Sequence, residues 1–226
     1  MKYKHVIEGT FLSRPNRFIA YCEINGVTEK CHVKNTGRCR ELLIKGAKVF
    51  LSVSDNPSRS TKYDVIAVMK GERLINMDSQ VPNDVAEECL RMIPEFSDIV
   101  NIRREFTYGD SRIDIMAEDE RNRYLIEVKG VTLEDDGVVR FPDAPTERGV
   151  KHIKELAKSI DDGYIPYLLF IVQMDDVLRF EPNRATDPVF ADALVSAHEA
   201  GVNVLAYTCE VTPDSICLKD PVEVVL

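Results

Sequence analysis

The first 82 residues carry a period-two pattern. "VIEGTFL", "RFIAYCEI", "TEKCHV", "AKVFLSV", "YDVIAVMK" and "RLINM" are rich in β-branched and aromatic side chains, with hairpin signals at "NGVT" and "KGER". Five or six short strands with no long helix predict a small barrel, and the OB-like barrel is its common nucleic-acid-binding form. The texture changes after "QVPND". In "NDVAEECLRMI", Val85, Cys89 and Met92 recur at helical spacing behind a cap at Asn83 or Asp84. Strands are expected at "IRREFTY", "RIDIMAE" and "RYLIEVKGV". The helix in "APTERGVKHIKELAKSI" sets Val150, Ile153, Ala157 and Ile160 on one face, with Pro145 in its first turn. "PYLLFIVQM" is nearly all apolar, as a strand buried on both faces would be. "DPVFADALVSAHEAG" reads as a helix ended by Gly201, and "VNVLAYTCEV" as another buried strand. The expected fold class is α+β, with an OB-like barrel over 1–82 and a mixed α/β domain over 83–226.

One hairpin breaks the apolar texture. "SRIDIMAEDERNRYLIEVKG" holds Asp114, Glu127 and Lys129 inside two otherwise apolar runs. A turn centred on Glu120 and Arg121 sets Asp114 opposite Glu127 and Arg112 opposite Lys129. Alternation then places these four on one face and Ile113, Ile115, Ile126 and Val128 on the other. Opposed carboxylates repel. A hard divalent cation between them relieves that repulsion, and Mg²⁺ takes one or two carboxylates together with water and phosphate oxygens. The carbonyl of Val128 is a candidate further ligand. A metal held there polarises a phosphodiester and acidifies a bound water. Lys129 would orient that water or stabilise charge on the phosphorus.

The net charge of −9 argues against a nucleic-acid partner until its distribution is read. Residues 1–82 carry 14 Lys and Arg against 8 Asp and Glu, and residues 83–226 carry 15 against 30. A basic first part suits phosphates and an acidic second part suits cations. The six cysteines form no CxxC pair, and in "KCHVKNTGRC" buried free thiols at Cys31 and Cys39 beside a polar His32 are expected rather than a zinc site. No apolar run approaches the ~20 residues of a membrane span. The segment "MKYKHVIEGT" lacks the apolar core of a signal peptide, so a cytoplasmic location is expected.

The carboxylate hairpin, followed by a helix and a buried strand, resembles the PD-(D/E)XK nuclease family. Asp114, Glu127 and Lys129 match its three motif positions, with Ile113 where some members have proline. The resemblance implies Mg²⁺- or Mn²⁺-dependent phosphodiester cleavage. It also points to an acidic residue on the preceding helix, Glu88 or Glu87, and to Gln173 after the next core strand. In "FPDAPTERGVKHIKEL", Glu147 and Lys151, and Arg148 and His152, are neighbours on a helix surface near the expected site. Glu147 and Lys151 are candidate catalytic groups, and Arg112 and Arg148 candidate phosphate contacts.

Taken in order, "VKNTGRCREL", "NPSRSTKYD", "YGDSRIDIM", "IEVKGVTL", "FPDAPTERGVKHIKEL" and "GVNVLAYTCEV" resemble the sugar fermentation stimulation protein A (SfsA) family over nearly the whole chain. The resemblance implies an N-terminal OB-like domain, a C-terminal PD-(D/E)XK nuclease-like domain, and DNA binding. It marks Asn35, Thr36, Gly37 and Arg38 as a signature, with Arg38 and Arg40, and the loop from Arg59 to Lys62, as phosphate contacts. Phe18, Tyr21 and Tyr63 are the candidate stacking aromatics. The leading reading is a DNA-binding protein with a metal-dependent nuclease site, the form of the DNA and the oligomeric state both being open, with a homodimer suggested only by analogy to PD-(D/E)XK domains. Its alternatives are a non-cleaving DNA-binding regulator of sugar metabolism genes and a small-molecule or partner-binding module with a structural acidic cluster.

Overall fold

A computed structural model describes residues 1–226. The barrel comprises β1 (Val6–Asn16), β2 (Ile19–Ile24), β3 (Val27–Val33), β4 (Lys48–Val53), β5 (Tyr63–Lys70) and β6 (Arg73–Asn76). Its sheet runs β3-β2-β1-β4-β5-β6 and closes through a parallel pairing of β3 with β5, which sets Cys31 beside Tyr63 and Val33 beside Val65. Closure removes the free edges that a five-stranded sheet would expose. Asn25 and Gly26 both take positive φ (52° and 79°) in the β2–β3 turn, the backbone that "NG" supplies in tight hairpins. At the β1–β2 tip the Asn16 side chain accepts the N–H groups of Phe18 and Ile19, leaving Arg17 and Phe18 exposed.

After the barrel come α1 (Val81–Cys89), two short 3₁₀ turns, β7 (Asn101–Tyr108), β8 (Ser111–Glu118) and β9 (Arg123–Val131). Then follow β10 (Leu133–Asp135), β11 (Val138–Phe141), α2 (Glu147–Ser159), β12 (Ile165–Val172), β13 (Arg179–Pro182), α3 (Pro188–Glu199), β14 (Asn203–Thr212), β15 (Ser215–Pro221) and β16 (Glu223–Val224). The main sheet runs β15-β14-β12-β9-β8-β7, parallel at its centre and antiparallel at both ends. β12 is the central strand that its apolar run predicts, buried from Pro166 to Val172. No helix is long and apolar enough to cross a membrane.

Three details depart from the sequence pattern. Pro82 occupies the first turn of α1, so the helix starts at Val81 and Asn83 is not its cap; Met92 lies beyond it, exposed. Thr146, not Pro145, opens α2, its hydroxyl accepting Gly149 N–H. The buried face of α2 centres on His152, Ile153 and Leu156, one residue round from the expected face of Val150, Ile153, Ala157 and Ile160. Finally, β10, β11, β13 and β16 form a second, four-stranded sheet too short-stranded to be legible beforehand.

α1 packs on one face of the main sheet, with Val85 and Ala86 clustered against Ile115, Ile126 and Val128. α2 and α3 cover the other face. Their cluster includes Ile153, Leu156 and Leu194 and runs without a break into the barrel interior at Val49 and Val65. The joint is also polar. Lys70 and Arg73, from the β5–β6 turn, both bind Glu134 of β10. Gln173 N–H₂ donates to Asn76 Oδ1 and Asp78 O. Barrel and sheet are thus one continuous packing unit, which fixes what faces the space between them.

Candidate functional site

The hairpin register is the expected one: Ile115 pairs with Ile126 and Glu118 with Arg123. The ladder stops there, one pair short of Asp114 and Glu127. Beyond it Asp114 Oδ2 accepts the Val128 N–H at 2.8 Å, and Asp114 Oδ1 accepts from Asn83 Nδ2 of α1 at 2.9 Å. Opposite Asp114, Glu105 of β7 takes a left-handed φ of 52° and drops out of the β7–β8 pairing. Strict alternation fails at this kink. Ile113 packs with the α2-side cluster, whereas Ile115 packs with the α1-side cluster. The four charges consequently do not share one face. Arg112 is exposed and pairs with Glu105 at 3.4 Å, away from Lys129.

Glu127 is 1% exposed. Its Oε1 accepts from both Lys129 Nζ and His152 Nδ1, while its buried Oε2 has no partner. His152 in turn accepts from Arg148 Nε at 3.3 Å through Nε2. Burial pushes the Glu127 carboxyl up, but Lys129 and His152 outweigh it and hold the group below its ordinary range. Asp114 moves the other way: burial and then the Glu127 charge raise it, against weaker help from Lys129. One carboxylate is thus charge-compensated and its neighbour is not. No group of three His, Cys, Asp or Glu side chains is arranged to hold a metal ion. An ion between these two would complete its shell with backbone, water and substrate oxygens, as Mg²⁺ does.

Lys129 and Val128 line a cleft of about 450 Å³ between the sheet and the barrel. The barrel side supplies Arg17, Asn35, Thr36 and Gly37, and the far wall is the loop Phe141–Thr146. Arg14 builds the barrel side, donating to the carbonyls of Arg17, Asn35, Gly37 and Arg38. The two walls touch where Arg38 N–H donates to Asp143 Oδ2 at 2.8 Å. A side chain at Gly37 would collide with the Asp143 carboxylate, which explains the glycine in "NTGR". Gly130 has a similar reason: a Cβ there would lie 2.5 Å from Gln173 Oε1 and 2.6 Å from Pro82. Gln173 lines the cleft, but its amide N–H₂ is spent on the barrel joint.

Several expected site residues lie elsewhere. Glu88 binds the N-terminal ammonium at 2.6 Å, and Glu87 binds Arg104. The α1 residue that does reach the hairpin is Asn83. Lys151 donates to Asp110 O at the β7–β8 turn instead of pairing with Glu147, which is exposed. Arg59 is committed to Asp64, which also holds His32, so it is not a free phosphate contact. Lys62 stays exposed, 5.4 Å from the Tyr63 ring centroid. Tyr63 is buried, whereas Phe18 and Tyr21 are 49% and 38% exposed. Arg38 and Arg40 are exposed and line a groove with Arg17 and Lys45; none of the four forms a salt bridge. Sequence reasoning missed Asn83, Arg14, Arg17 and Asp143. Only Asp143 had a signal, its place in "FPDAP".

Comparison with known proteins matches this architecture. Residues 12–77 fit the family model described as the SfsA N-terminal OB domain, and residues 80–215 fit the sugar fermentation stimulation protein RE domain. A sugar fermentation stimulation protein homolog of Clostridium beijerinckii is 52% identical over 226 residues, covering 100% of both chains. Another, of Desulfitobacterium hafniense, is 55% identical and covers 100% of this chain and 99% of its own. The solved structure of Pyrococcus furiosus SfsA in complex with Ca²⁺ superposes with a TM-score of 0.91 at 28% identity, covering 100% of this chain and 98% of that one. With matched models spanning most of its length and full-length relatives above half identity, the chain belongs to the sugar fermentation stimulation protein (SfsA) family.

Proposed function

We propose that this chain binds DNA and cleaves its phosphodiester bonds with a divalent cation, Mg²⁺ or Mn²⁺. The observation that carries the reading is Glu127 Oε2, a buried carboxylate oxygen without a partner beside the half-buried carboxylate of Asp114. An orphaned buried oxygen costs about 1–3 kcal/mol or more, and a cation removes that cost. The Ca²⁺ complex of the Pyrococcus furiosus relative supports divalent-metal use.

Asp114, Glu127 and the Val128 carbonyl would hold the ion, which when bound polarises the scissile phosphate and acidifies a water. Glu127 is oriented for this by Lys129 and His152, which draw Oε1 one way and leave Oε2 free. Asn83 and the Val128 N–H set the Asp114 carboxylate plane. Lys129 lines the cleft, so its ammonium is available to water or to charge developing on phosphate. Arg148 spends only Nε on His152, which leaves its remaining N–H groups for a phosphate oxygen.

The test is incubation of the purified chain with end-labelled DNA in Mg²⁺, Mn²⁺ or EDTA. Cutting in either metal, absent in EDTA and strongly reduced in Lys129→Met, is expected. Binding without cutting in both metals refutes the nuclease and leaves a non-cleaving DNA-binding protein. Absence of binding at low salt, where phosphate contacts are strongest, refutes both.

A further inference from the structure

We infer that the strand handled at this site is single-stranded, led along the barrel groove into the cleft and stacked at the groove mouth on Phe18. This deepens the proposed function and rests on it. Three observations support it. First, the space over Lys129 is about 450 Å³, the size of a small-molecule pocket. A duplex, whose major groove alone is about 12 Å across, does not enter such a space. Nor do the walls part readily. Arg38 N–H is bonded across the cleft to Asp143, and Arg14 stiffens the barrel wall by holding four of its carbonyls.

Second, the cleft is continuous with a cationic groove, because Arg17, Thr36, Gly37 and Ala144 line both. Arg38, Arg40 and Lys45 continue that groove, and no carboxylate on the chain neutralises them. Arg14 lies beneath with its charge set only against carbonyl oxygens. A polyanion is the complement of this surface.

Third, the β1–β2 tip beside the groove exposes Phe18, with Arg17 Cζ 5.8 Å from its ring centroid. Nothing on the chain needs that ring outside. Tracking phosphates with unpaired cations while stacking bases on an exposed aromatic is how single strands are held. In a duplex the base faces are already stacked on one another, and Phe18 would have none to take.

The experiment is fluorescence anisotropy of the full chain, in EDTA, with an oligothymidylate of about 20 nucleotides and its blunt duplex, each at several salt concentrations. The single strand is expected to bind about 10-fold or more tighter than the duplex. Phe18→Ala removes an exposed tip side chain and leaves the fold intact. It should weaken single-strand binding by about 5- to 100-fold without changing the salt slope, and Phe18→Trp should restore it. Arg40→Ala should instead reduce the salt slope by about 0.7. Equal or tighter binding of the duplex overturns the inference. So does wild-type single-strand affinity in Phe18→Ala while Arg40→Ala weakens binding; in that case nucleic-acid binding itself survives. Absence of binding by either form at low salt removes the proposed function and this inference together.

Discussion

Glu134→Gln isolates one of the contacts that join barrel to sheet. The Glu134 side chain is 6% exposed and receives Arg73 Nη1 at 2.6 Å, Lys70 Nζ at 2.7 Å and the Gly137 N–H at 2.6 Å. Removing one partner of a fully buried ion pair costs about 3–5 kcal/mol. Lys70 and Arg73 keep 29% and 24% of their side-chain surface in solvent, so screening lowers the expected cost to about 2 kcal/mol. For a chain of this length that is a fall in Tm of roughly 4–8 °C. The pH dependence has a defined sign. Burial raises the Glu134 carboxyl, but Lys70, the Gly137 N–H and Arg73 outweigh it and bring it down to about 2 from an ordinary 4.5. A carboxyl lowered on folding stabilises the native state above its unfolded value, and the contribution fades as pH falls through that window. Thermal unfolding of wild type and Glu134→Gln, followed by circular dichroism at about pH 7, 4 and 3, should show a full gap at neutrality that narrows with acid. A gap that is absent at neutrality, or constant with pH, refutes the latch.

Other substitutions separate roles at the site. Asp114→Asn keeps both hydrogen-bonded neighbours once the Asn83 amide turns over, and it removes the repulsion with Glu127. Its Tm in EDTA should equal or exceed wild type, by up to ~2 kcal/mol of stability, while the Tm rise on adding Mg²⁺ should be lost in calorimetry. Lys129→Met should retain DNA affinity and the Mg²⁺-induced Tm rise yet lower single-turnover cutting by about 10²–10³, the range for losing one transition-state donor. Arg59→Ala removes the bidentate partner of a buried Asp64 whose pKa its partners depress, leaving it His32 alone. It should therefore lower urea stability by about 1–3 kcal/mol while leaving DNA affinity unchanged in a gel-shift titration.

The elements read from periodicity are those whose pattern is local. β12 is a continuous apolar run, and α3 is bounded by Asp187 and Gly201 in the roles their residue types dictate. The barrel follows from short alternating runs, although its closure through β3 and β5 joins residues about 30 apart and has no local signature. Failures cluster where two patterns compete. Asn83 is a good cap by type, but Pro82 starts the helix earlier and frees the Asn83 amide for Asp114. Thr146 is the cap of α2, and His152 packs inward against Glu127 rather than lying on the surface, a tertiary placement without a local signature. Glu88 and Arg59 were legible only as charges; what neutralises them, the N-terminal ammonium and Asp64, is a matter of tertiary placement. Arg14 and Arg17 gave no signal, since an arginine that grips carbonyls looks in sequence like any surface arginine.

The break in alternation at Asp114 explains how two carboxylates from one ladder become a site rather than a repelling pair. Had pairing continued past Ile115 and Ile126, Asp114 and Glu127 would stand side by side with the same surroundings. Instead Asp114 takes the Val128 N–H that a ladder would have used, and Glu105 opposite it adopts a backbone costing about 1–3 kcal/mol for a non-glycine residue. The strands open at that point. Asp114 is then oriented from the α1 side by Asn83, and Glu127 from the α2 side by His152 and Lys129. Two helices packed on opposite faces of the sheet thereby control two oxygens at one gap. Shortening that gap by restoring regular pairing would stabilise the hairpin and remove the place proposed above for a cation. Local strain at Glu105, the raised carboxyl of Asp114 and the orphaned Oε2 of Glu127 are therefore three expressions of one feature, a sheet held open at its edge of charge.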